Sequence, residues 1–174
     1  MAVFACALWA LVAGPGAGAA AGVDAARSPI AETAGKAKRN RFIAAMESGL
    51  AACANGRRAN AGLGPLTVDL RLARAARFHA QSMAKHGFFS HTDGSGRTPQ
   101  DRIRMFAGRG TFSPTGENLA AGQRGTTSVC RLWMGSSAHR QNIFNPRFTH
   151  VGGGFALGGR YRRYYVMDLG RLRG

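Results

Sequence analysis

Trp133-Met134-Gly135-Ser136-Ser137-Ala138-His139-Arg140-Gln141-Asn142-Ile143 is the longest of four motifs that run in order over the C-terminal half of the chain. A helical pattern from Thr126 to Met134 runs into it, and His139 follows Ser136-Ser137-Ala138 just after that helix. Trp133 reads as a core anchor whose indole N–H needs one acceptor. Asn142 reads as scaffolding, because an amide can join separate loops through two donors and a carbonyl. Working outward, three more motifs flank this one in order. They are Phe88-Phe89-Ser90-His91-Thr92-Asp93, Gly116-Glu117-Asn118-Leu119-Ala120 and Phe148-Thr149-His150-Val151-Gly152. Asn118, like Asn142, reads as a bracing amide.

Around the motifs the chain reads as helices followed by strands. Ile43, Met46, Leu50 and Cys53 are spaced three, four and three apart, a core-facing helix stripe that ends near Asn55-Gly56 or just after Arg57-Arg58. A second helix opens near Asp69, which can cap free backbone N–H groups, and stops at Gly87. Thr98-Pro99-Gln100-Asp101 is a capping-box start with proline at the first helical position, and Gly108 ends that helix. Gly108 to Gly125 reads as a glycine-rich loop around Glu117. Val151–Leu157 and Tyr161–Leu169 read as two strands of a hairpin turned at Gly158-Gly159. The expected class is α+β, helices packed on an antiparallel sheet.

In this order the four motifs resemble the CAP superfamily (cysteine-rich secretory, antigen 5 and pathogenesis-related-1 proteins) in its compact bacterial form, over roughly residues 40 to 170. The resemblance implies an α-β-α sandwich, with a small antiparallel sheet between helices and a cleft that receives His91, Glu117 and His139. His91 and Glu117 match the family's first cleft histidine and its glutamate. His139 matches the bacterial Ser-x-x-His-Arg pattern. Eukaryotic members carry two histidines and two glutamates. Aligned on Trp133, the second glutamate falls at Ser136, and the second histidine falls near Arg147, three residues before His150.

Two imidazoles and a carboxylate suit a zinc-like ion with one open position, so His91, His139 and Glu117 are the expected metal set, with His150 a nearby further candidate. The same three residues are the catalytic candidates, since histidine can also give or take a proton near neutral pH. His79, on an apolar helix face, reads as a hydrogen-bonded core residue. His86, near a helix end, reads as a partner of the helix dipole. Ser90, Ser136 and Ser137 lack a Gly-x-Ser-x-Gly elbow, and Cys53 and Cys130 sit at helical core positions, so neither type reads as a nucleophile.

Length and composition bound the rest. The 174 residues suffice for one domain with a sizeable core. Met1–Ala13 is a short uncharged apolar run followed by Ala17-Gly18-Ala19, so residues 1–20 read as a signal peptide, 21–37 as a flexible linker and 38–174 as the CAP domain. Of the three cysteines, Cys6 falls in the signal. Cys53 and Cys130 are either one disulfide or two separate buried thiols. The net charge of +16 predicts attraction to anionic surfaces, while the spread of arginines and the lack of a nucleic-acid motif argue against specific nucleic-acid binding. Arg71, Arg74 and Arg77 read as one solvated helix face. The expected function is therefore a secreted module, extracellular or periplasmic and monomeric, with peripheral membrane association. It would bind a lipid or an anionic cell-envelope ligand through the His/Glu cleft, without enzymatic activity. The alternative is a metal-dependent hydrolase of peptide or ester bonds that uses His91, His139 and Glu117.

Overall fold

The computed structural model describes residues 29–173. The expected signal peptide, with Cys6, and the first part of the expected linker lie outside the described residues. Helix α1 (Pro29–Asn60) begins inside the stretch expected as linker, so residues 29–37 are helical. Pro29 at the first helical position and the good helix formers Ala, Glu and Lys behind it account for this. Its exposed first turns lead into a buried stripe that includes Leu50, Ala51 and Ala54.

Strand β1 (Thr67–Val68) leads into α2 (Leu70–His86), which is capped by the Asp69 carboxylate on the N–H groups of Arg71 and Leu72 and closed by Gly87 at φ 71°. Helix α3 (Pro99–Ala107) has the full capping box between Thr98 and Asp101. The stretch expected as a loop is instead strand β2 (Phe112–Ala121). After it come α4 (Thr126–Gly135), α5 (Ser137–Ile143), β3 (His150–Gly158) and β4 (Arg162–Leu172).

The sheet order is β1-β3-β4-β2. Strand β1 pairs parallel to β3, so the sheet is mixed at that edge, and the other pairs are antiparallel. Helices α1, α4 and α5 cover one face and α2 and α3 the other. Covering both faces buries Tyr164 through Leu169 without a break. Trp133, Leu50, Phe155, Tyr165 and Met167 fill the first layer. Met83, Leu119, Tyr164 and Val166 fill the second.

Three consecutive glycines set the spacing of these layers. A Cβ on Gly152 or Gly154 would strike the backbone of α2, and one on Gly153 would strike the backbone of α1 at Glu47. Close helix–strand approach requires hydrogen as the side chain at all three. Cys53 of α1 and Cys130 of α4 form a disulfide, with Cα atoms 6.0 Å apart. Of the arginines expected on a solvated face, Arg71 is paired with Asp69 and Arg77 with Glu47.

Candidate functional site

Glu117 lies on β2, the strand at one edge of the sheet. Its side chain is 1 % exposed and points into the layer of α2 and α3. Its two oxygens have different partners. Oε1 accepts from Nδ1 of His91 at 2.7 Å. Oε2 accepts from Nη2 of Arg102, on α3, at 2.7 Å. Arg102 is fully buried, and its Nη1 donates to the carbonyl of Arg97 at 2.8 Å. The Arg–Glu pair is therefore internal, while the side chain of His91 is 56 % exposed and forms the outer end of the chain of contacts.

The loop that carries His91 is fastened from beneath. His79 of α2 donates from Nε2 to the carbonyl of Ser90 at 2.8 Å. His79 is fully buried, and burial pushes its imidazole below the ordinary value of 6.5. Asp93, also buried, accepts from the backbone N–H groups of Ser95 and Arg97 and from Nε of Arg97. A buried acceptor that gathers three donors is a strong loop anchor.

Beneath Glu117 sits Asp168 of β4. The two are direct partners in the β2–β4 register, and Asp168 is fully buried. Neither of its oxygens meets a protein donor. Burial, then the Glu117 carboxylate beside it, raises its pKa well above 3.8. Of the two, Asp168 is the one whose surroundings favour the protonated form.

His139 meets the strand at the residue after Glu117. Successive strand residues point to opposite faces. Glu117 enters the α2/α3 layer and Asn118 the α4/α5 layer. It is Asn118, through Nδ2, that reaches His139, at its backbone carbonyl (3.1 Å). The imidazole of His139 lies 6.3 Å from the Trp133 ring, centroid to centroid, and its Nδ1 is buried without a partner. Burial, and then the neighbouring His91, lower its pKa. Ser136, at the family's second glutamate position, caps α5 by accepting from the N–H of His139.

The scaffold residues close the edge of β2. Asn142 Nδ2 donates to the Glu117 carbonyl at 3.1 Å and to Asn118 Oδ1 at 2.8 Å. Trp133 Nε1 donates to the Leu119 carbonyl at 2.9 Å. Side-chain donors thus occupy carbonyls on an edge strand that another chain could otherwise pair with. His150, at the start of β3, contacts Thr149 and the Phe112 ring, and no contact joins it to His91, Glu117 or His139. His86 is exposed near the end of α2, beside Lys85.

Zinc was the expected occupant, and the donor set does not fit it as it stands. Both oxygens of Glu117 are engaged, and a guanidinium holds one of them. Among the described residues, no three of His, Cys, Asp and Glu converge as a ligand set. Arg102 and Asp168 were missed by the sequence reading, yet each had a signal. Arg102 lies on the helix stripe with Ile103 and Phe106. Asp168 interrupts the apolar run Tyr164-Tyr165-Val166-Met167 and Leu169. A charge inside an apolar pattern asks for a buried partner.

The fold is that of a CAP-type domain. The family model described as cysteine-rich secretory protein family matches residues 52–169, and the chain belongs to that family. The chain is 35 % identical over 117 residues to the uncharacterized protein YkwD of Bacillus subtilis, covering 67 % of this chain and 45 % of that one. It is 29 % identical over 108 residues to the B. subtilis membrane protein YlbC, covering 62 % of this chain and 29 % of that one. The chain thus spans less than half the length of these curated relatives. Among solved structures, it is similar to an extracellular SCP-domain protein of Bacillus anthracis (TM-score 0.67, 26 % identity, 76 % of this chain and 42 % of that one). It also shares its fold with an outer surface protein of Borrelia burgdorferi (TM-score 0.63, 24 % identity, 69 % and 87 % covered). These neighbours are extracellular or outer-surface proteins. No helix among the described residues is long and apolar enough to cross a membrane.

Proposed function

We propose that this chain is an exported, non-enzymatic binding module that holds a lipid or another anionic component of the cell envelope. One observation carries the reading. Glu47, Asp69, Asp93, Asp101 and Glu117, five of the eight acidic residues, are spent in ion pairs within the domain. Arg39, Arg74, Lys85, Arg131, Arg147 and Arg160 are exposed and have no ion pair among the described residues. Unpaired cations are therefore presented outward, where they attract anionic surfaces. A cavity of about 330 Å³ between α1 and α2 sets cations beside apolar surface, with Phe155 and Leu157 in its lining next to Arg39 and Lys85. The exposed His91 adds a polar contact at the cleft.

The test is sedimentation with vesicles of phosphatidylglycerol against vesicles of phosphatidylcholine, across a salt series. The reading expects capture by the anionic vesicles that weakens as salt rises. It expects a further loss in the double variant Arg39→Glu/Lys85→Glu. No binding at any ionic strength would overturn the surface reading.

A second reading, a metal-assisted hydrolase, draws support from the His91–Glu117 pair. A carboxylate on Nδ1 orients an imidazole and leaves Nε2 free to take a proton. This reading requires Glu117 to exchange Arg102 for an ion. It expects stoichiometric zinc and turnover of a peptide or ester substrate that disappears in Glu117→Gln. A purified protein inert with and without zinc would rule it out.

A further inference from the structure

We infer that Arg102 is the resident cation of the cleft, fixing Glu117 and through it His91, so that the site is assembled without a metal. The assignment rests on where charge and hydrogen bonds go. Glu117 is 1 % exposed and needs a positive partner. It has one in Arg102, whose side chain is fully buried and lies 2.7 Å from Oε2. Arg102 is itself held, through Nη1, by the carbonyl of Arg97, and Arg97 is locked to buried Asp93. The guanidinium therefore belongs to the fold and is not a surface side chain that has folded inward. A divalent ion on Glu117 would have to displace this cation or sit beside it.

The consequence is specific for His91. An ionised carboxylate only accepts hydrogen bonds, so the Nδ1 that faces Glu117 at 2.7 Å must carry the proton. Neutral His91 is thereby held as one tautomer, with Nε2 as a lone-pair acceptor toward solvent. The ligand group this suits is a hydrogen-bond donor, a hydroxyl or an ammonium. Arg102 is a positioning residue here. It touches no ligand and acts through Glu117.

The experiment is long-range proton–nitrogen NMR of the histidine rings in the full chain, with zinc titration followed on the same samples. In metal-free wild type, the His91 signals should show Nδ1 protonated. One equivalent of zinc should leave them in place, and Glu117→Gln should not change zinc affinity. Arg102→Lys, which keeps a cation, should keep the tautomer. Arg102→Met should release it and raise zinc affinity above that of wild type, because Glu117 is then free to ligate. One zinc per chain, bound by wild type, lost in Glu117→Gln and shifting the His91 nitrogens, would overturn the assignment. An Nε2-protonated tautomer in wild type would overturn it too, as would a folded Arg102→Met with an unchanged His91. If Arg102→Met does not fold, the wild-type spectra with and without zinc decide the matter alone.

Discussion

Asp168 stands directly across the β2–β4 ladder from Glu117, and both are buried beneath the exposed ring of His91. Glu117 is charged and balanced by Arg102, whereas Asp168 has no cation in contact and is kept as the neutral acid. Its folded pKa lies above its ordinary value of 3.8, so folding takes up a proton between those two values. The stability that Asp168 itself contributes is therefore whole below about pH 4 and is lost as pH rises toward its folded pKa. Asp168→Asn keeps the shape and removes the titrating group. At about pH 7 the variant should be more stable than wild type in urea melts, and the advantage should vanish near pH 4. A variant less stable at neutral pH would mean that Asp168 is ionised and paired, and the assignment of the proton would fail.

Removing the charge of Glu117 should have the opposite effect. Glu117→Ala leaves Arg102 buried and unpaired, and breaking a buried pair from one side costs about 3–5 kcal/mol. Chemical denaturation of Glu117→Ala should show a loss of that order. The double variant Glu117→Leu/Arg102→Met should recover much of it, since an apolar pair of similar volume is often tolerated. Equal losses in the single and double variants would show that the cost lies in packing and not in the stranded charge.

His79 gives a pH dependence on the acid side. Its folded pKa is lowered by burial, so the unfolded chain binds the proton first as pH falls. The stability it supports is whole above about pH 6.5 and is lost as pH falls through the folded value. Thermal melts of wild type should therefore drop as pH falls below about 6.5. His79→Gln, which can still donate to Ser90, should start lower and slope less. Parallel slopes would place the acid sensitivity elsewhere.

Local signals in the chain were legible where they act locally. Asp69 and Thr98 mark helix starts, Gly87 marks a helix stop, and Gly158-Gly159 marks the hairpin; each works through a backbone group a few residues away. The CAP motifs located His91 and Glu117 because that resemblance spans the sheet. Strand β2 was hidden, since Pro114 and Gly116 break its apolar pattern and its conformation is imposed by pairing with β4. The helical start at Pro29 was masked by a composition rich in alanine and glycine. Arg102 and Asp168 could be flagged as charges in apolar runs, but their partners come from other elements. That Asn118, and not Glu117, reaches the backbone carbonyl of His139 follows from strand alternation once β2 is known to be a strand.

The disulfide between Cys53 and Cys130 joins the two helices of one layer across a separation of 77 residues. Closing a loop of that size stabilises by about 4 kcal/mol in the chain-entropy account. The double variant Cys53→Ala/Cys130→Ala should unfold at lower urea concentration by about that free energy. A reductant should lower the wild-type midpoint and leave the variant unchanged. If reductant shifts neither protein, the bridge contributes nothing in solution.

One substitution type should act with opposite sign at two glycines of this chain. Gly154 of β3 lies against α2 so closely that an added Cβ would overlap the backbone of Ala76 and Arg77. Backbone cannot rotate away as a side chain can, so Gly154→Ala must push α2 off the sheet, at a cost of about 3 kcal/mol. The same helix carries His79, which holds the Ser90 carbonyl one residue before His91. The displacement should therefore also reach the cleft, seen as a changed His91 ring signal. Gly56 lies inside α1 with nothing within 4 Å of the position a Cβ would take. There, Gly56→Ala lowers the entropy of the unfolded chain and fits the helix, for a gain of about 1 kcal/mol. Urea melts of the two variants should move in opposite directions, and a harmless Gly154→Ala would show that α2 and β3 are packed less closely than described.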